Sequence, residues 1–127
     1  MTFKTERLNY LRRPINDIIK RSHSFYNSIK TRRSVRDFDK KDINLEIIKN
    51  AILSAGSAPN GANLQPWHFT IIRDKRIKKK IRIAAEKEEE EFYGVKAPKE
   101  WLEALKPLGT NRNKKFLEIA PVLIAIF

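Results

Sequence analysis

The chain ends in eight consecutive apolar residues, 120–127, with the sequence APVLIAIF. A short continuous apolar run of this kind is typical of a strand that is buried on both faces. Such a strand needs neighbouring strands, because buried backbone N–H and C=O groups are almost always paired. We therefore expect a sheet within a hydrophobic core. We also expect residues 1–127 to form a single domain that is the front portion of a longer one.

Periodicity and turn residues divide the rest of the chain into short elements. A length of 127 residues allows one domain with one modest core. Apolar residues at a spacing near 3.6 predict helices, and short runs of β-branched and aromatic residues predict strands. The predicted helices are residues 14–30 (one helix, or two short helices that meet near Ser22), 45–55 (capped by Asp42 or Asn44), 75–92 and 113–119. The predicted strands are residues 68–73 and 120–127, and residues 101–105 are expected to be loose.

The chain carries a net charge of +12, and its basic residues cluster at 73–82. A basic surface can bind nucleic acid or an anionic membrane. However, no aromatic residues alternate with these charges, and no known DNA-binding or RNA-binding motif is present. We interpret the cluster as a solvated helix face with Ile77 and Ile81 turned inward, and nucleic-acid binding is not expected. Two pairs at helical spacing are expected to support this helix: Arg82 with Glu86, and Lys87 with Glu91.

Several classes of site have no support in the sequence. There is no cysteine, and the histidines, His23 and His68, have no acidic partner at ligand spacing, so no metal site is predicted. The sequence contains no run of about 18 apolar residues, which is the length needed to cross a membrane. Residues 1–9 lack the apolar block of a secretory signal, and a cytoplasmic location is therefore the default expectation.

A basic segment follows the first predicted helix and has the composition of a phosphate site. Three arginines, Arg32, Arg33 and Arg36, lie within five positions of one another together with the hydroxyl of Ser34. Guanidinium groups are planar forks of donors that match phosphate oxygens, and their charge is permanent. These four residues could hold a terminal phosphate dianion. The alternative interpretation is a basic helix end that faces water only.

A turn-rich loop follows about twenty residues later, at residues 57–67. The pair Asn60 and Gly61 is a turn signal, and such a loop lets the backbone approach a flat ligand closely. Glycine-rich dinucleotide and phosphate-loop motifs are absent. The two segments together therefore indicate a cradle for a phosphorylated, planar cofactor outside the dinucleotide-binding folds.

The third predicted helix carries a carboxylate and a phenol on one face. Glu89 and Tyr93 are four residues apart, so their side chains are neighbours on the helix surface. They could bind an ammonium group and a second polar group. The alternative is an ordinary solvated face within an acidic run. Lys114 has no distinctive pattern around it by itself.

Six short motifs, in order and at fitting distances, resemble those of the nitroreductase-like FMN flavoprotein family, and within it the iodotyrosine deiodinase-like branch. The resemblance covers residues 21–127. The motifs are Arg32 to Arg36, Ala58-Pro59-Asn60-Gly61-Ala62, Pro66-Trp67, the acidic helix from Glu86 to Tyr93, Thr110-Asn111, and Ala120-Pro121. Asn60 stands where serine is expected, and Asn63, Leu64 and Gln65 also differ from the usual residues of that loop.

The resemblance implies an α+β fold of the nitroreductase type, with helices packed on a mixed sheet, here as an incomplete N-terminal portion. It further implies intertwined homodimers with FMN at the subunit interface. The residues that match the FMN phosphate and ribityl contacts are Arg32, Arg33, Ser34 and Arg36. Those that match the lining of the flavin ring are Pro59, Asn60 and Gly61. The second half of the family domain normally supplies the hydroxyl beside flavin N5 and a further phosphate-binding arginine.

The resemblance also implies a substrate site. The backbone amide of Ala62 matches a contact to the substrate phenolate, Glu89 matches the ligand of the substrate ammonium, and Tyr93 and Lys114 match the ligands of its carboxylate. The implied activity is FMN-dependent, NAD(P)H-driven reductive dehalogenation of halotyrosine-type phenols. One alternative is a general nitroreductase or quinone reductase of the same fold. The other is an inactive truncated remnant or basic binding module.

Overall fold

The computed structural model describes residue 5 and residues 7–127. The prediction that residues 1–9 are not a secretory signal falls partly on positions 1–4 and 6, which lie outside the described residues. The chain forms two compact units, one ending at Val35 and one comprising Arg36–Phe127. Across the described part of the chain, no helix combines the length and the hydropathy needed to cross a membrane.

The first unit is built on helix α1 (Ile15–Ile29), close to the predicted range. Pro14 precedes it, a position where the missing N–H of proline costs nothing. Asp17 forms ion pairs with Arg13 and Arg21 at 3.3 and 3.2 Å, each four residues away. None of the residues of α1 is buried, so its apolar stripe is open within this unit.

The second unit begins with helix α2 (Leu45–Gly56), and the sequence predicted two candidate caps for it. The structure selects Asn44, whose side chain accepts a hydrogen bond from the backbone N–H of Glu46 at 2.8 Å. Asp42 instead pairs with Arg73 at 2.6 Å. Asn44 is the better placed of the two, because the cap residue must directly precede the first helical turn.

Strands β1 (Phe69–Ile72) and β2 (Leu123–Ile126) form an antiparallel pair. Phe69 lies opposite Ile126, and mutual 3.0 Å hydrogen bonds between His68 and Phe127 extend the ladder by one position. The predicted burial of β2 on both faces is wrong in this structure, because exposure alternates along the strand with the period of two expected when one face is covered. The described residues form only this antiparallel part of the expected mixed sheet.

Helix α3 (Lys75–Glu91) is followed by a π-helical turn (Phe92–Lys96), helix α4 (Lys99–Leu105) and a short 3-10 turn (Lys106–Leu108). The expectation that residues 101–105 are loose is wrong. Pro98 precedes α4 with φ −59°, which starts a helix favourably, and Leu102 and Leu105 lie on its half-buried side. Helix α5 (Phe116–Ile119) then leads into β2 and is shorter than predicted.

The inward face of α3 matches the prediction at Ile81, which is half-buried, but not at Ile77. Ile77 is 48% exposed, whereas Lys78 is only 4% exposed. The ammonium group of Lys78 donates hydrogen bonds to the carbonyl oxygens of Glu118 at 3.1 Å and Ala120 at 2.6 Å. A buried lysine needs such partners, since an unpaired ammonium in the interior is very costly. Lys78, and not Ile77, therefore faces α5 and the segment that leads into β2.

One predicted pair on α3 forms and the other does not. Arg82 pairs with Glu86 as expected, but Glu91 pairs with Lys96 at 2.8 Å in place of Lys87. The hydrogen bond from Lys96 lowers the pKa of Glu91, and the same contact raises the pKa of Lys96. The π-helical turn brings Lys96 back towards the end of α3, which a regular helix would not do.

Asp74 caps the N-terminus of α3 and gives a prediction about pH. Its carboxylate accepts hydrogen bonds from the side chain and backbone N–H of Arg76 and from the backbone N–H of Ile77, and these lower its pKa below the ordinary value of 3.8. A lowered pKa stabilises the fold above 3.8, and that contribution disappears as pH falls through the folded-state value.

We therefore expect Asp74→Asn, which keeps an acceptor at the cap but cannot titrate, to be less stable than wild type near neutral pH. The difference in urea midpoint should shrink as the pH falls below 3.8. Urea unfolding followed by circular dichroism from pH 6 to pH 3 measures it. A difference that stays constant over this range would show that Asp74 titrates alike in the folded and unfolded states.

Candidate functional site

A cavity of about 560 Å³ lies in the second unit, between the end of α3 and the segment that leads into α5. Three of the predicted substrate residues, Glu89, Tyr93 and Lys114, line it together with Arg36. Its other lining residues are Asp37, Phe92, Leu108, Gly109, Thr110, Asn111, Asn113, Lys115, Phe116 and Ile119.

The centre of the cavity is an ion pair between Glu89 and Lys114. Lys114 Nζ lies 3.0 Å from Glu89 Oε2, and the two side chains are 16% and 32% exposed, Lys114 being the more buried. Lys114 Nζ also donates a hydrogen bond to the carbonyl oxygen of Asn111 at 3.1 Å. Since both charges are partly removed from water, they interact more strongly than a surface pair does. A ligand with one cationic and one anionic group could exchange this internal pair for two pairs of its own.

Aromatic side chains form part of the cavity wall. Phe92 and Tyr93 meet edge to face with ring centroids 5.3 Å apart, and Phe116 also lines the cavity. Within the part of the chain that the structure describes, the hydroxyl of Tyr93 makes no hydrogen bond. Tyr93 therefore offers a free donor beside the Glu89–Lys114 pair, and the rings offer an apolar surface for a planar group.

Arg36, the first residue of the second unit, also lines this cavity, and it is the candidate cofactor residue that shares the cavity wall with the candidate substrate residues. Arg32, Arg33 and Ser34 belong to the first unit and are exposed. The guanidinium of Arg33 donates to the carbonyl oxygens of Lys30 and Arg32 at 2.8 Å each. Part of the donor capacity of Arg33 is therefore used within its own segment.

The loop after α2, which contains Pro59, Asn60, Gly61 and Ala62, does not contribute to the cavity wall. It is held by Asn60, whose side-chain oxygen accepts a hydrogen bond from the backbone N–H of Gln65 at 2.9 Å. The amide nitrogen of Asn60 is buried and has no partner among the described residues. A buried amide donor without a partner is unusual and needs an explanation.

The same loop stores backbone strain. Its left-handed residues are not Asn60 and Gly61, as the turn signal suggests, but Ala62 at φ 53°, Asn63 at φ 53° and Gln65 at φ 49°. Left-handed backbone costs a residue with a Cβ about 1–2 kcal/mol. Three such residues within four positions indicate a loop shape that is maintained for a reason other than stability.

We expect Ala62→Gly to stabilise the protein by about 0.5 kcal/mol. Relief of about 1–2 kcal/mol of strain is partly offset by the larger entropy of glycine in the unfolded chain. Ala58→Gly, at a position with ordinary φ in the same loop, is the matched control and should destabilise. Denaturant midpoints of the two variants measure the effect, and equal losses would mean that Ala62 is not strained.

Sequence reasoning missed several groups that shape the cavity. Thr110 and Asn111 belonged to a recognised motif but received no role, although the carbonyl of Asn111 holds Lys114. The hydroxyl of Thr110 lines the cavity and is buried without a partner among the residues described. Asp37 and Phe116 have no pattern that distinguishes them, because they reach the cavity through tertiary packing only.

The sequence pattern of the nitroreductase family matches residues 29–127. The chain belongs to the nitroreductase family. The predicted family and the α+β class are thereby confirmed.

Among the described residues, no group of three or more potential ligands could hold a metal ion.

The relatives of this nitroreductase-family chain include iodotyrosine deiodinases. The chain is 48% identical over 111 residues to the enzyme from Haliscomenobacter hydrossis, covering 87% of this chain and 50% of that protein. It is 42% identical over 114 residues to iodotyrosine deiodinase 1 from Homo sapiens, covering 90% and 39%. A crystal structure of oxidized iodotyrosine deiodinase bound to FMN and 3-iodo-L-tyrosine matches with a TM-score of 0.75 and 35% identity, covering 80% and 54%. The chain thus spans about half the length of these relatives or less.

Proposed function

We propose that the protein is an FMN-dependent oxidoreductase that removes halogen reductively from halotyrosine-type phenols. The observation that carries this proposal is the cavity that joins Glu89, Lys114 and Tyr93 beside aromatic rings. The relatives named iodotyrosine deiodinase support it, since one was crystallised with FMN and 3-iodo-L-tyrosine. The activity is that of the complete protein, whose relatives are about twice as long as this chain.

The loop residues fit a flat cofactor. A Cβ built on Gly61 would meet no atom within 4 Å, and the φ of Gly61 is not in the left-handed region. Nothing in the described part of the chain therefore requires a glycine at this position, whereas a ring lying against the backbone would. The unpartnered amide nitrogen of Asn60 is a donor for a ring oxygen or nitrogen. We assign Pro59, Asn60 and Gly61 to the flavin ring, and the backbone N–H of Ala62 to the substrate phenolate.

The basic segment fits the phosphate end of the same cofactor. Arg32, Ser34 and Arg36 are exposed, and no side-chain hydrogen bond or ion pair joins them to another described residue. Arg33 contributes charge while its guanidinium bonds to its own segment. We propose that these four residues hold the phosphate and ribityl region of FMN. Charge-assisted hydrogen bonds of this kind contribute about 1.5–3 kcal/mol each.

The substrate would be held by its amino acid group. Glu89 accepts the ammonium group, and Lys114 and Tyr93 donate to the carboxylate, so the internal ion pair is replaced by two pairs with the ligand. A ligand that lacks either charge would leave one protein charge unpaired in a partly buried site, and discrimination against it is therefore strong. When bound, FMN would supply the two electrons that, with a proton, exchange the carbon–halogen bond for carbon–hydrogen and release halide.

Three further features belong to the proposal. NAD(P)H or a partner reductant would reduce the flavin, the complete protein would be a homodimer, and it would work in the cytoplasm. The open apolar stripe of α1, which is exposed within its own unit, is consistent with burial against another chain or another part of the protein. Sedimentation tests the homodimer, and cell fractionation tests the cytoplasmic location.

Flavin binding is the decisive test. Protein expressed from its complete gene should purify yellow, or should take up FMN with a change in the flavin absorbance bands. Gly61→Ala should weaken FMN binding about tenfold, since overpacking by one methyl group costs about 1–3 kcal/mol. Gly94→Ala is the matched control, because a Cβ at Gly94 also meets nothing within 4 Å. A colourless protein that gains no flavin bands would refute the proposal.

Substrate assays decide between the proposed activity and the rivals. Turnover of nitroaromatics or quinones and none of 3-iodotyrosine would assign a general reductase of the same family. Salt-dependent retention of DNA would assign a basic binding module. The structure makes the latter less favourable, because the basic stretch contains Lys78, which is buried, and Arg73, Arg76 and Arg82, which are ion-paired.

A further inference from the structure

Glu86 lies one helical turn before Glu89 on α3 but is not part of the cavity wall. Its carboxylate has two partners. Oε1 accepts a hydrogen bond from the backbone N–H of Lys114 at 2.9 Å, and Oε2 accepts one from the guanidinium of Arg82. Lys114 is therefore attached to α3 at two points, through its backbone to Glu86 and through its side chain to Glu89.

Arg82 extends this arrangement to α5. Its Nε donates to a carboxylate oxygen of Glu118, and this hydrogen bond raises the pKa of Arg82 above its ordinary value. Glu86 and Arg82 are only 25% and 21% exposed, and Glu118 is 36% exposed. The network is thus shielded more than a typical surface pair, and it links α3, to which Lys114 is bonded, with α5, which follows Lys114 in the chain.

We propose that Glu86 is a positioning residue for the substrate site, which fixes the backbone of Lys114 so that its ammonium faces the cavity. This role rests on the proposed function only in the identity of the ligand. The physical reason is that the segment from Thr110 to Lys115 has no helix or strand to hold it. Without the carboxylate of Glu86, the backbone that carries the long side chain of Lys114 would be mobile. The entropy lost in ordering this segment would then oppose ligand binding.

The test compares ligands with and without the amino acid group. In the complete, FMN-loaded protein, Glu86→Ala should raise the Kd of 3-iodo-L-tyrosine about tenfold, the equivalent of one hydrogen bond to a charged group. The Kd of an iodophenol without the amino acid group should not change. Glu86→Gln keeps an acceptor for the backbone of Lys114 and should restore part of the affinity. Glu90→Ala removes an ion pair with Arg112 in which both side chains are 67% exposed, and it should have no effect on either Kd.

A second measurement does not depend on the ligand. The backbone N–H of Lys114 should exchange with solvent faster in Glu86→Ala than in wild type or Glu90→Ala. Unchanged exchange at Lys114, or equal weakening of both ligands, would overturn the positioning role. If wild-type protein itself fails to bind 3-iodo-L-tyrosine, the proposed function fails, while the exchange measurement still decides the role of Glu86.

Discussion

Glu89→Gln in the complete protein should weaken binding of 3-iodo-L-tyrosine by about 10–100-fold and leave FMN bound. The carboxylate is partly buried, so a charge-assisted contact to the substrate ammonium is worth about 1.5–3 kcal/mol. The amide also removes the internal ion pair with Lys114 that the ligand has to replace, and this offsets part of the loss. Titration of flavin fluorescence or absorbance with the ligand measures both the binding and the retained cofactor.

Two controls make this result specific to the zwitterion. Glu88→Gln changes a neighbouring carboxylate that is exposed and lies 3.5 Å from Lys96, and it should leave ligand binding unchanged. An iodophenol without the amino acid group should bind wild type and Glu89→Gln equally. If both ligands weaken together, Glu89 supports the fold of the cavity and does not bind the ammonium group.

Lys78→Met should destabilise the fold by about 2–4 kcal/mol. The methionine retains the apolar stem, but the carbonyl oxygens of Glu118 and Ala120 lose a charged donor in a buried place. Each buried acceptor left unpaired costs about 1–3 kcal/mol, and removal of the buried ammonium returns part of that cost. The urea midpoint should fall with an unchanged slope, as expected for lost stability without a change in compactness.

Lys79→Met is the matched control, since Lys79 is the next residue of the same helix and is exposed. It should leave the midpoint within about 0.5 kcal/mol of wild type. Equal midpoints for the two variants would show that the ammonium of Lys78 contributes nothing to stability. Because the carbonyls lie where α5 meets β2, a looser junction in Lys78→Met should also speed exchange of the Lys114 amide.

The sequence predicted the elements that depend on local physics. The spacing of apolar residues located α1, α2 and α3 to within a few residues, and Asn44 was one of two proposed caps. Six ordered motifs identified the family, which the comparison confirmed. The helix at residues 99–105 was missed because a seven-residue helix offers fewer than two full turns of periodicity.

Local sequence patterns predicted the candidate site as residue types only, and the family resemblance was what grouped Glu89, Tyr93 and Lys114 in one site. Glu89 and Tyr93 share a helix face from sequence spacing alone, whereas Lys114 is 25 positions from Glu89 and carries no local signal. Glu86 was predicted to pair with Arg82, and it does, but its bond to the backbone of Lys114 could not be foreseen.

By itself, the amino-acid sequence determined helices α1, α2, α3 and α5, the presence of the two strands and the membership of the chain in the nitroreductase family. Tertiary structure alone decided that Lys78 and not Ile77 faces inward, and that the Lys114 ammonium meets Glu89 beside Tyr93. The physical reason is range. Periodicity and capping act over a few neighbouring residues, whereas buried charges choose partners wherever the folded backbone offers carbonyls or carboxylates within reach.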